Sequence, residues 1–221
     1  MNKLKNSTGK IGKYLREISV VVIGVAITLS ASNWITNRNE KRDMSLYLNA
    51  IKLELEENKK ELDEVEKNMQ GSVRYADYLN SHDKKLLNAD TIRTYVNDYY
   101  GIYSITVKTN AFDMFKISGN MRFVDDKELL ITIWDAYATL NKIEKLFDLY
   151  SQMKLEEIKK AILPPKSLLL FSDEEILKNI PMYNFYTQTR APYMQPEECN
   201  IALIIVNETI SKLEEAKEIK Q

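Results

Sequence analysis

Three observations predict an all-α chain. All five prolines, Pro164, Pro165, Pro181, Pro192 and Pro196, fall in one stretch near the C-terminus, so none interrupts a helix before it. From Leu48 onward apolar residues recur in alternating steps of three and four. Helix formers and long charged faces fill most of the remainder. The expected architecture is an N-terminal transmembrane helix continuing into a long helix that packs in an extracytoplasmic antiparallel helical bundle. The 221 residues suffice for one domain with an appendage.

The first element is a basic tail, residues 1–17, carrying Lys3, Lys5, Lys10, Lys13 and Arg16. Residues 18–37 follow without a formal charge, and as a helix they reach about 30 Å, the thickness of a hydrocarbon core. The stretch "SVVVIGVAITLSASNW" has two readings. Its apolar heart stops at Leu29, and Ser30 and Ser32 are small residues of the kind that surround the cut of a secretory signal. Against cleavage stand Trp34, a side chain that favours the membrane boundary, the cluster Arg38, Lys41 and Arg42 just beyond, and a helical pattern that continues unbroken. The anchor is the favoured reading. The excess of basic charge ahead of the run predicts a cytoplasmic N-terminus, and both readings place the bulk of the chain outside the cytoplasmic membrane. Gly24, Thr28 and Ala31 recur at helical spacing as a ridge of small side chains on which two spans can approach closely.

Residues 38–221 form the expected extracytoplasmic domain. Its first part, 38–82, is a long heptad helix with the seam Leu48, Ile51, Leu55, Asn58, Leu62, Val65, Met69, Ser72, Ala76 and Leu79. Asn58 and Ser72 break it, either as register-fixing groups or as positions near water. Residues 83–163 hold several helices. A short one ends at Gly101 beside Tyr95, Tyr99, Tyr100 and Tyr103; another closes at Gly119 in a Ser118, Gly119, Asn120 turn. A second long helix opens at Asp125 with Glu128 three residues on. It presents Leu130, Ile133, Trp134, Tyr137, Leu140, Phe147 and Tyr150 to one broad side, wide enough for two neighbours, and an antiparallel bundle within the chain is expected, with oligomerisation second. Residues 164–196 are a proline-punctuated aromatic region with one short helix from Asp173 to Asn179. A final helix, 197–221, carries Ile201, Ile204, Ile205 and Leu213 toward the others.

Two stretches, "KYLREISVVVIGVAITLSASNWITNRNEKR" and "TNAFDMFKISGNMRFVDDKELLITIWDAY", resemble an uncharacterised family of short single-pass bacterial envelope proteins, domain of unknown function 6090. The matching positions are Asn33, Trp34, Ser118, Gly119 and Asn120. The resemblance implies an inner-membrane location and a helical fold, and brings no chemistry with it.

Composition narrows the function classes. Thirty-one Lys+Arg against 32 Asp+Glu give a formal charge of −1, so no electrostatic footprint for nucleic acid is present. The single Cys199 excludes an intramolecular disulfide, and the single His82 removes most imidazole chemistry. The scattered glycines form no phosphate-cradling loop, and adjacent carboxylates such as Glu156 and Glu157 point apart on a helix. Cys199 opens the last helix, where a dipole lowers a thiol pKa, but a packing role is the simpler reading. The expectation is therefore a non-enzymatic protein without cofactor or metal, whose partners are the membrane and protein, either itself or another envelope protein. The candidate partner surface is Tyr183, Phe185, Tyr186, Arg190 and Tyr193, because tyrosine and arginine dominate binding hot spots. The alternative is a periplasmic sensor or carrier holding a small ligand between helices near Tyr95 to Tyr103.

Overall fold

The computed structural model describes residues 5–161, 170–188 and 196–218, and every regular element among them is helical. Helix α1 runs unbroken from Lys5–Ser81, 77 residues. Its apolar stretch near the N-terminus is not buried by any of the described residues: an 18-residue window of mean hydropathy 1.9 is wholly unburied, so α1 contains one candidate membrane-spanning segment. Burial starts at Met44. From there the heptad seam meets the chain's own elements, and Leu48, Ile51, Leu55, Asn58, Leu62, Val65, Met69, Ser72 and Leu79 are all buried.

After α1 the chain folds over its far end. A 3-10 turn, Lys84–Leu86, is capped by Asp83; α2 (Ala89–Thr94) is capped by Asn88, whose side chain accepts from Thr91 N at 3.0 Å; α3 (Val96–Tyr100) follows at once. Residues 101–109 are extended and α4 (Asn110–Ser118) then returns along α1 toward Met44. The return ends where Gly119 adopts φ 72, a left-handed cap that a side chain would strain. Ser118 Oγ donates to Phe115 O at 2.8 Å and accepts from Asn120 N at 3.2 Å, which leads into a 3-10 turn, Asn120–Phe123. Helix α5 (Lys127–Lys160) starts one residue later than the Asp125 opening predicts: Asp126 is the cap and accepts from Leu129 N at 3.0 Å.

Helix α5 is not the antiparallel partner of α1. Tyr137 reaches Glu54 and, seventeen residues on, Lys154 reaches Ser72, so α5 rises beside α1 in the same direction. Because α4 has already made the descent, the next helix must climb. The antiparallel partner of both is α8 (Pro196–Glu218), placed by Lys142 to Glu198 near one end and Lys212 to Glu128 near the other. Its inward face is the predicted one only in part: Leu213 is buried and Ile205 packs against the core. Cys199, Ala202, Val206, Thr209 and Leu213 are buried, while Ile201 and Ile204 are 54% and 57% exposed. A helix that wedges against two neighbours needs small side chains at closest approach, and Ala202 serves that better than isoleucine. Trp134 likewise lies 46% exposed, its ring edge-on to Phe112 at 5.1 Å.

The extended segment 101–109 has no neighbouring strand among the described residues, so its backbone groups must find other partners. Side chains of α1 and α5 supply them. Thr106 N donates to Glu61 (2.9 Å) and Val107 N to Glu144 (3.0 Å). Asn58 closes a two-way pair with Lys108, accepting from its N and donating to its O at 2.8 Å each. The buried Glu54 carboxylate accepts from Ala111 N (2.8 Å) and Phe112 N (3.3 Å) at the start of α4 and from the Tyr137 hydroxyl (2.6 Å). Ile105 and Val107 point inward between these ties.

Candidate functional site: an aromatic end core around Lys154

Two short helices complete the end far from the apolar run. Helix α6 (Asp173–Lys178) begins with a capping box, Ser172 Oγ accepting from Glu175 N at 3.3 Å while Glu175 accepts from Ser172 N at 2.9 Å. Helix α7 (Tyr183–Gln188) carries three of the five residues predicted as a partner surface. Phe185 and Tyr186 are each only 5% exposed and belong to the core, so they present no free surface. Tyr183 is half-buried, with Lys84 Nζ 4.8 Å from its ring centre. Arg190 and Tyr193 lie outside the described residues.

The tyrosine group at 95–103 and this loop come together. Tyr75 on α1 packs against Tyr95 (5.4 Å), Tyr99 (4.8 Å) and Tyr186 (5.2 Å), and Tyr150 against Phe185 (5.4 Å). Tyr75 donates its hydroxyl to Pro181 O at 2.8 Å, and Tyr186 donates to Tyr99 O at 3.3 Å. The Tyr99 hydroxyl is buried without a partner among the described residues. Burial pushes the hydroxyls of Tyr75, Tyr99 and Tyr186 well above the ordinary phenol value, and that of Tyr150 up to about 12.

Within this aromatic core sits a lysine. Lys154 is 0% exposed, and its Nζ lies 5.5 Å from the ring centres of Tyr103 and Tyr186 and 5.7 Å from that of Tyr150. It donates to Asp98 O (3.2 Å) and Ser72 Oγ (3.4 Å), both long contacts. Burial pulls its pKa down to about 7, and the Asp98 carboxylate opposes this by favouring the charged form. Ser72, read as a break in the seam, is the hinge of the group: it donates to Asp98 O at 2.5 Å and accepts from Tyr186. A methyl group at Gly71 would overlap the Asp98 carboxylate where it now lies, so that side chain would have to move. The lysine was legible in principle. It continues the buried stripe Leu140, Ile143, Phe147, Tyr150 in phase, and a charge on an apolar stripe is a signal of its own.

Beside this core lies a cleft of about 260 Å³ that Lys84, Tyr100, Lys160, Lys178 and Tyr183 help to line. It is smaller than pockets that enclose drug-sized ligands, and it does not include Lys154. Cys199 is buried, and burial together with Glu66 and Glu198 pushes its thiol up to about 11, the reverse of an activated nucleophile. Along the apolar run, Gly24, Thr28 and Ala31 are exposed, and Thr28 returns its hydroxyl to Gly24 O at 2.9 Å. Asn33 and Trp34 are exposed as well, with the Arg38 guanidinium 5.7 Å from the Trp34 ring centre. Among the described residues no group of His, Cys, Asp and Glu is arranged to hold a metal ion. Compared with protein-family models, curated proteins and solved structures, the chain matches none.

Proposed function

We propose that this is a single-pass envelope protein, N-terminus in the cytoplasm, whose helical bundle stands outside the inner membrane and serves assembly or protein interaction rather than catalysis. The observation that carries the reading is the division of labour along α1. Its apolar stretch is fully exposed, whereas the same helix from Met44 onward is covered by the chain's own elements. An apolar surface of that length is costly in water and at home in a bilayer. The flanking charges support the orientation. With the heptad seam occupied within the chain, self-association falls to the exposed faces: the ridge Gly24, Thr28, Ala31 in the span, and the outward leucines Leu46 and Leu53.

The test is cross-linking of the intact protein in membranes, compared with Gly24→Leu, together with the intact mass of the mature chain. The reading expects a retained N-terminal run and cross-linked species that the substitution weakens. A strictly monomeric chain with no partner sinks the assembly role, and loss of about thirty residues sinks the anchor.

A further inference from the structure

Lys154 is enclosed by five elements, and each contributes an identifiable group: Ser72 from α1, Asp98 from α3, Tyr103 from the extended segment, Tyr186 from α7, and Tyr150 from its own helix α5. An ammonium has three protons to donate, and the two acceptors within reach are both long. Three ring faces and the Asp98 carboxylate favour the charge, but full burial with only two acceptors outweighs them, and the uncharged amine is the better fit. The charged form calls for water, which has to enter by moving one of the five walls.

Of the two short walls, α3 and α7, α7 is the one entered through a strained residue. Six residues do not sustain a helix on their own. Tyr186 reaches Ser72 Oγ and Tyr99 O at 3.4 and 3.3 Å and pairs with the Tyr150 hydroxyl, Asn80 Nδ2 donates to Tyr186 O at 3.2 Å, and Tyr75 donates to Pro181 O at 2.8 Å just before the helix, so docking is the resting state. At the entrance to α7, Met182 is held at φ 54, a left-handed conformation that a residue with a side chain adopts at a cost. Undocking releases that strain and gives the orphaned Tyr99 hydroxyl a partner in water. By contrast α1 and α5 are long helices, and the extended segment is tied by Ser151 Oγ donating to Tyr103 O at 2.5 Å.

We propose that α7 is a pH-operated flap, docked on the aromatic end core while Lys154 is uncharged and released when that amine takes up a proton. Release bares Phe185, Tyr186 and Tyr150 around a cation, a surface that is absent at higher pH. If the domain stands outside the inner membrane, as proposed above, the flap answers to the medium rather than to the buffered cytoplasm; the local mechanism itself does not depend on that placement.

Hydrogen exchange of the full-length protein in detergent, followed by mass spectrometry over 180–188 and corrected for intrinsic rates, tests this. An amine that titrates at about 7 when docked and at about 10.5 when free makes the opening constant rise about tenfold per unit of falling pH from 9 to 7. The rise levels off below pH 6. Lys154→Met should be protected and flat across the range, and Lys154→Arg open throughout. Asp98→Asn keeps the lysine but removes the carboxylate that favours its charge, so the levelling-off moves to lower pH. A wild-type segment with no pH dependence overturns the flap, as does a Lys154→Met protein that keeps the wild-type slope.

Discussion

Replacing Asn58 by leucine separates two accounts of the α1 seam that predict opposite signs. In a plain heptad seam a buried asparagine lowers stability in exchange for register, so leucine raises the melting temperature. Here Asn58 is 1% exposed and spends both ends of its amide on the backbone of Lys108, at 2.8 Å each. Leucine removes two hydrogen bonds worth roughly 1 kcal/mol each and leaves an N–H and a carbonyl facing an apolar side chain, at about 1–3 kcal/mol for each group that water does not reach. Because Lys108 lies at the surface, water reaches part of this site. The expected cost is therefore about 2–4 kcal/mol, which in a domain of this size lowers the melting temperature by roughly 5–15 °C. Circular dichroism at 222 nm on the full chain in detergent reads this directly. A variant that melts at or above the wild type refutes the idea that Asn58 exists to hold the extended segment.

Glu54→Gln leaves one carbonyl oxygen for three donors, Ala111 N, Phe112 N and the Tyr137 hydroxyl, and should cost about 1–3 kcal/mol in a urea titration. In a double-mutant cycle with Tyr137→Phe, a coupling below about 0.3 kcal/mol would show that the buried contact carries no weight. Gly71→Ala, which gains about 1 kcal/mol in an unhindered helix, should instead destabilise through overlap with the Asp98 carboxylate; the gain should return when Asp98→Ala is added. An alkaline limit should appear above pH 10. The buried Tyr75, Tyr99, Tyr137, Tyr150 and Tyr186 keep their protons in the fold while the unfolded chain releases them, so the unfolded state binds fewer protons and stability falls with rising pH. Each contributes up to about 1.4 kcal/mol per pH unit, and unchanged urea midpoints between pH 9.5 and 11 would contradict their burial.

Periodicity made the long elements legible, because a stripe of apolar residues on α1 or α5 has one period whatever it packs against. It did not reveal which way α5 runs, since a helix stripe carries no direction; that followed from α4 already having descended. It was only partly right on α8, where Leu213 is buried and Ile205 packs against the core as expected while Ile201 and Ile204 face outward. Gly119 was readable because a left-handed cap has a residue preference of its own. The extended segment 101–109 passed unnoticed although Ile105 and Val107 alternate with polar neighbours, since a strand pattern with no second strand suggests nothing until the side chains that replace it are known. Lys154 was missed for a different reason: its meaning depends on Ser72, Asp98 and Tyr186, which lie 82, 56 and 32 positions away and meet it only after folding.

That α1 is one helix without a joint makes it a lever. Between residue 37 and Ser81 it spans about 66 Å, so a change of about 10° in its direction at residue 37 carries the far end roughly 11 Å sideways. The movement arrives undiminished, because no proline or flexible linker lies between to absorb it. Whatever meets Ser81 and the aromatic end beside it is displaced by about the width of a helix when the near end tilts, which is a mechanical coupling over a distance that packed side chains alone seldom transmit.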